Sequence, residues 1–202
     1  MSSAEEPVPA LDRPLATDRL TLRPANADDA AATWAYRRLD SVNEWLTGTP
    51  SEPAAFRAYF TDPARLARTL VVELRHGSQP TIVGDLMLRR EDAWAQREVA
   101  DEARGAQAEL GWVLDPAHCG HGYATEAVRE LVRHAFEDLA VRRVVANAFL
   151  DNDASVRLME RLGMRREVHA VSESLHRSGR WLDSVGYALL ADEWRARHGI
   201  CR

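Results

Sequence analysis

The sequence predicts an α/β fold of the layered α+β kind, in which helices pack on a mixed sheet, and three observations carry this expectation. Patterned stretches follow one another along the 202 residues in the order helices, strands, helix, strand, helix, strands. The strand-like runs are short and bounded by glycine, proline or asparagine, as in "PTIVGDLMLRR". One long stretch, "YATEAVRELVRHAFEDLA", instead repeats Ala124, Val128, Leu131, Ala135 and Leu139 at helical spacing, so one of its faces is expected to be buried.

Residues 1–16 are polar and proline-bearing and are expected to form a flexible tail ahead of a single domain over 17–202. In "RLTLRP" (19–24) Leu20 and Leu22 alternate with polar neighbours, as on a half-buried strand. Asn26, Asp28 and Asp29 then open a helix that runs to Leu39. Further helix is expected at "VNEWL" and from Pro53 to Ala67, and these helices, with Trp34 and Tyr36, should wall a cleft. "TLVVELRH" and "PTIVGDLMLRR" read as strands joined by a "GSQP" turn. The polar segment 91–107, "EDAWAQREVADEARGAQ", is longer than a hairpin loop needs. It reads as an insertion, a lid or a dimer contact. The strand "AELGWVLDP" ends at Pro116 and leads through a glycine loop into the long helix. "RRVVANAFL" follows as a strand, and "NDASVRLMERLG" as a short helix with Asn152 as N-cap and Gly163 as stop. "REVHAVSESLHR" and "WLDSVGYALL" close the fold as strands about a turn at Ser178 and Gly179.

With 46% hydrophobic and 28% charged residues and a net charge of −5, the chain reads as a soluble globular protein without a basic footprint for nucleic acid. An acceptor groove lined with acid would suit a cationic amine. No apolar run is long enough for a membrane helix, and the N-terminus lacks the order of a signal peptide, so the expected location is cytoplasmic. Two cysteines, Cys119 and Cys201, give no disulfide framework. His118, Cys119 and His121 crowd one loop without an evident fourth ligand, so no metal is expected there.

The stretch "CGHGYATEA" (119–127) keeps bulky side chains away from the backbone immediately before a helix. Unpaired N–H groups and the positive end of a helix dipole then meet in one place, which is an anion site if Cβ atoms leave room for the ligand. A strand-to-helix turn whose glycines only relieve strain is the competing reading. A phosphate loop of the P-loop type needs a lysine, and the chain has none. A dinucleotide fingerprint needs a third glycine where Thr125 stands.

The run "AELGWVLDPAHCGHGYATEAVRELVRHAF", followed by "RRVVANAFLDNDASVRLMERLGM", resembles the GNAT superfamily of acyl-CoA-dependent N-acyltransferases, in its RimJ/RimL-like branch that acetylates protein N-terminal amines. The resemblance implies a mostly antiparallel sheet of six or seven strands with helices on both faces and a splayed central strand pair. It also implies that loop amides hold the diphosphate of acetyl-CoA, at Cys119, Gly120, His121, Gly122, Tyr123, Ala124 and Thr125. Cys119 departs from the family's Gln or Arg at its position. The backbone of Trp112, Val113 and Leu114 would face the acetyl and pantetheine groups, and Asn152 with Ser155 would match the family's Asn-x-x-Ser on the pantetheine arm.

Amide formation needs a neutral amine, a home for the oxyanion and a proton for the thiolate. Glu109, two residues before the Gly-Trp pair, is the candidate base, and pairing with an arginine at the sheet surface is its alternative role. Ser155 is the candidate acid, with Tyr187 as a second choice. Glu126 is a weaker candidate base. No residue outside the loop stands out as a nucleophile, so direct transfer in a ternary complex is expected, with a protein N-terminus or small-molecule amine as acceptor and a homodimer possible. A module that binds acyl-CoA without turnover is the rival from another class.

Overall fold

The computed structural model describes residues 11–75 and 80–199. The expected "GSQP" turn falls largely outside these residues, as does Cys201. Among the described residues eight strands are hydrogen-bonded in the order β1-β2-β3-β4-β5-β6-β8-β7, one or two more than expected. They are β1 (Leu15–Ala16), β2 (Leu20–Pro24), β3 (Thr69–Leu74), β4 (Thr81–Glu91), β5 (Gln107–Leu114), β6 (Arg143–Phe149), β7 (Arg165–Leu175) and β8 (Trp181–Leu190). Antiparallel ladders join β1 to β2, β2 to β3, β3 to β4, β6 to β8 and β7 to β8, while β5 and β6 are parallel.

Two expectations are corrected. The tail ends earlier than residue 16, because Leu15 and Ala16 pair with Leu22 and Thr21, and Leu11 is already buried. The helix expected over 53–67 is two helices, α3 (Pro53–Phe60) and α4 (Pro63–Arg68). Asp62 stops the first and caps the second, accepting the Arg65 N–H at 3.0 Å, and Pro63 occupies the first turn where a missing N–H costs nothing.

The described residues form two compact units, 11–88 with Trp112–Ala127, and Arg89–Gly111 with 128–199. In the first, Leu20, Leu22, Leu70, Val72, Val83 and Leu86 are fully buried. Over them lie α1 (Ala30–Arg37), α2 (Asp40–Asn43), α3 and α4. Ala30, Phe56 and Phe60 form a second apolar cluster to which Trp34, Tyr59 and Leu66 add their rings and methyls. Asn26 begins the helical run as expected: its side chain accepts the Asp28 N–H at 2.8 Å, and Asp29 returns a bond to the Asn26 N–H. Arg23 grips Asp29 and Glu73, both at 2.7 Å, so β2 is locked to this cap and to β3.

In the second unit α5 (Tyr123–Glu137) has a buried stripe of Val128, Leu131, Val132, Ala135 and Phe136, and Val144, Ala146, Val185 and Leu189 of the strands are buried as well. Burying a side chain such as Leu131 or Phe136 contributes about 2 kcal/mol. Asn152 caps α6 (Asp153–Arg161) as expected, accepting the Ser155 N–H at 3.2 Å, and Gly163 ends it at φ +76°. A terminal helix, α7 (Ala191–His198), was not foreseen; its Trp194 lies 6.0 Å from the Phe136 ring. β5 and β6 pair over the three residues Gln107↔Arg143 to Glu109↔Val145, at the start of both strands. In the segment 91–107, a 3-10 stretch over Arg97–Ala103 leaves Trp94 exposed.

Candidate active site

The loop is built from its first residues upward. Asp115 accepts the Ala117 N–H at 2.9 Å and Pro116 supplies a fixed φ, giving one tight turn that ends with the Cys119 N–H on the Pro116 carbonyl. Gly120 and Gly122 then take φ of +82° and +79°, a conformation in which a Cβ is strained. Helix α5 begins directly afterwards, with the Glu126 N–H on the Gly122 carbonyl. Among the described residues, the N–H groups of Gly120, His121, Gly122, Tyr123 and Ala124 have no acceptor. A Cβ at Gly120 would meet nothing within 4 Å and one at Gly122 only Arg19 Nη2 at 3.6 Å, so there is room beside both glycines. An anion with several oxygens, such as a diphosphate, fits this set of amides at the positive end of a 15-residue helix.

The loop is held from one side by Arg19, a residue that the sequence reading missed. Its Nη1 donates to the His121 carbonyl at 2.9 Å, its Nε to Glu126 Oε2 at 2.7 Å, and its plane lies over the Tyr123 ring at 4.8 Å. His121 stacks on the other side of that cluster, with ring centroids 5.4 Å apart, and its Nδ1 is 3.0 Å from the Cys119 carbonyl. Cys119, where a longer polar side chain was the family pattern, is an exposed free thiol. A guanidinium therefore reaches the loop from a segment 107 residues away in sequence, and nothing local announces it.

Glu126 is turned onto the segment before β2 and away from the loop amides. The Arg19 N–H and the Thr17 hydroxyl both donate to its Oε1, at 3.0 and 2.6 Å. Burial pushes this carboxyl up, but the bonds from Thr17 and Arg19 outweigh burial and hold it below its ordinary value of 4.5. A group whose pKa is lowered by folding stabilises the fold above its unfolded value and loses that contribution as pH falls through the folded one. Acid titration of the wild type should therefore show a loss of stability below about pH 4.5 that Glu126→Gln lacks, measured as the difference in urea midpoints between pH 7 and pH 3. Equal pH dependence in both proteins would remove Glu126 from that role.

On β5, Val113 is buried, and its carbonyl oxygen would lie 2.6 Å from a Cβ at Gly84 of β4. The Asp115 N–H continues this contact onto the Val83 carbonyl at 2.9 Å. Glycine at position 84 thus sets how closely β4 approaches the stretch Trp112, Val113, Leu114.

The remaining predicted residues lie in the second unit. Glu109 has both oxygens engaged: Arg89 Nη2 donates to Oε2 at 2.5 Å and Asn147 Nδ2 to Oε1 at 3.2 Å. Arg89 is shared with Glu91 at 2.7 Å. The arginine pairing foreseen as the alternative is present. Asn152 and Ser155 open α6, where the carboxamide is occupied as cap. The Tyr187 hydroxyl donates to Glu160 at 3.2 Å, and burial together with that bond raises its pKa, which makes it a poorer proton donor.

Residues 19–165, which include the loop, β5 and the Asn152 cap, match the acetyltransferase (GNAT) domain. The chain belongs to the GNAT acetyltransferases. This GNAT chain is 34% identical to the uncharacterized N-acetyltransferase YnaD of Bacillus subtilis (strain 168) over 86 residues, which are 43% of this chain and 50% of YnaD. The chain thus spans about half the length of that relative. A GNAT-family acetyltransferase structure from Bacillus anthracis superposes with a TM-score of 0.74 at 24% identity, over 89% of this chain and 99% of that one. Mycobacterium smegmatis RimJ, solved in complex with CoA-disulfide, gives 0.65 at 22% identity, over 89% of each chain. These likenesses are of fold. No helix among the described residues is long and apolar enough to cross a membrane.

Proposed function

We propose that this GNAT chain, as one acyltransferase domain, moves an acetyl group from acetyl-CoA to a primary amine by direct transfer within a ternary complex. The observation that carries the reading is the set of acceptor-less amides from Gly120 to Ala124, with room beside both glycines. Gly120, His121, Gly122, Tyr123 and Ala124 donate to the diphosphate, and Arg19 keeps the loop in the conformation that aims them. Thr125, in the first helical turn, and the thiol of Cys119 flank the same oxygens. The thioester supplies an activated acyl group. The backbone of Trp112, Val113 and Leu114 polarises its carbonyl, so that the amine forms the new N–C bond as the C–S bond breaks. Glu109, directly or through a water, takes the proton that the ammonium must shed, Asn152 orients the pantetheine arm, and Ser155 returns a proton to the thiolate. The acceptor is a protein or peptide N-terminus, in keeping with the RimJ/RimL-like resemblance, or a small amine, and the cytoplasm is the place of action.

Thiol release from acetyl-CoA tests the reaction, and calorimetry with CoA tests the loop. Glu109→Gln is expected to lower kcat about a hundredfold at neutral pH, with recovery as pH approaches the pKa of the acceptor amine, while the KM for acetyl-CoA holds. A loss of kcat that no rise in pH restores would mark Glu109 as a strut for Arg89 and not a base. Ser155→Ala should cost about tenfold in kcat with acetyl-CoA affinity retained, and unaltered kcat would strike Ser155 from the mechanism.

A further inference from the structure

The helical part of the first unit contains a recess of about 520 Å³, lined by Thr47, Gly48, Thr49, Pro50, Tyr59 and Arg65. Arg65 dominates it. Its guanidinium carbon stands over the Tyr59 ring, 3.5 Å from the centroid, in a cation–π contact. Among the described residues this guanidinium makes no hydrogen bond and no ion pair, in contrast to Arg19, Arg23, Arg37, Arg89 and Arg133. Asp62, the adjacent acid, spends Oδ1 on capping α4 through the Arg65 backbone N–H. Burial lowers the pKa of Arg65, with the charges of Arg68 and Arg37 acting in the same direction and Tyr59 and Asp62 acting against it. In the same wall the Thr49 hydroxyl is buried without a partner among the described residues. A half-buried cation with no counter-ion and an orphan hydroxyl beside it are costly unless an anion completes them.

The recess is tied to the strand assigned to the thioester. Tyr59 and Arg65 are both in electrostatic reach of Arg37. Arg37 in turn holds the buried Asp85 through Nε at 2.9 Å and Nη2 at 2.5 Å, and Tyr36 adds a 2.6 Å bond to the same carboxylate. Asp85 follows Gly84, whose bare Cα admits the Val113 carbonyl. Asp85 is already engaged by these two partners and so does not neutralise Arg65.

We infer that the recess seats a carboxylate carried by the acyl acceptor, so that the acceptors are amines also bearing an acid group, such as amino acids or acidic peptides. This rests on the transfer reading above and narrows it. An arginine fork presents two parallel N–H groups to a carboxylate, while the unpaired charge of Arg65 repels spermidine-like polycations.

The test compares tripeptides beginning with Glu against the same peptides beginning with Gln, all C-terminally amidated, with spermidine as a third acceptor, in thiol-release assays. In the wild type the Glu peptide is expected to show a kcat/KM about tenfold above its Gln counterpart, the size of one charge-assisted bond. Arg65→Gln should bring the ratio close to one by lowering only the acidic member, with the Gln peptide, the Kd for CoA and the circular dichroism spectrum unchanged. Arg65→Lys should keep part of the preference. Equal rates for the two peptides in the wild type, an unchanged ratio in Arg65→Gln, or spermidine as the best acceptor would each overturn the inference. Calorimetry with N-acetylglutamate, the carboxylate-free N-acetylglutaminamide and inorganic phosphate separates it from the transfer reading. If no amine releases thiol, yet N-acetylglutamate binds the wild type and not Arg65→Gln, the carboxylate seat stands and the transfer reading falls. Absence of heat from N-acetylglutamate, or tighter binding of phosphate, counts against the seat.

Discussion

Gly120→Val should weaken acetyl-CoA binding about a hundredfold, or roughly 3 kcal/mol, by calorimetry, while the protein remains folded. The Cβ of the new side chain meets no atom within 4 Å beyond its own chain neighbours. What it occupies is the space beside the loop amides. Its only cost to the apo protein is the backbone: a non-glycine residue at φ +82° is strained by about 1–3 kcal/mol. Gly179 provides the matched control, because it has φ +80°, is equally open around its Cα and lies in the turn between β7 and β8. Gly179→Val should lower the unfolding midpoint by a comparable amount and leave acetyl-CoA affinity where it was. Equal effects of the two substitutions on affinity would mean that strain, and not a blocked diphosphate site, explains the loss at position 120.

This contrast also separates what was legible in the sequence from what was not. The loop could be read because its cause is local: two glycines, a preceding Pro116 and a following helix are neighbours in the chain. The same holds for the Asn152 cap, the Gly163 stop and the hairpin about Gly179, where the deciding residues lie within a few positions. The break between α3 and α4 had an equally local signal in Asp62-Pro63, an N-cap followed by a first-turn proline, that was available and passed over. Arg19 on Glu126, Arg89 on Glu109 and Arg37 on Asp85 are different in kind. They join residues 107, 20 and 48 positions apart, and 26 arginines among 31 acids offer many equally good pairings by charge alone. Only the folded backbone selects among them. For the same reason the role of Glu109 stayed divided between base and ion-pair partner, since both follow from a carboxylate on a strand and only the position of Arg89 distinguishes them.

Gly84→Ala should cost stability and turnover together but spare the diphosphate site. An added methyl carbon would lie 2.6 Å from the Val113 carbonyl oxygen, 3.0 Å from Leu114 Cγ and 3.2 Å from Leu114 Cα. Two of these three are main-chain atoms that cannot rotate aside, so β5 itself has to shift. Gly84 is fixed on its other side by its register with Val72 of β3, so β4 cannot retreat without breaking that ladder. Overpacking of this kind costs about 1–3 kcal/mol, read as a lower unfolding midpoint. If the backbone at Trp112, Val113 and Leu114 polarises the thioester, a displacement approaching 1 Å there lowers kcat by about a hundredfold. The loop, pinned independently by Arg19 on His121 and Glu126, should keep its Kd for CoA within a few-fold of wild type. The diagnostic result is this split: a large fall in kcat with a small change in Kd places the acyl group against β5, since a merely destabilised enzyme would recover full kcat at low temperature once it is folded. A Gly84→Ala protein that folds and turns over normally would show that β5 can move without consequence, and the assignment of the oxyanion to its backbone would fail while the loop's hold on the diphosphate stood.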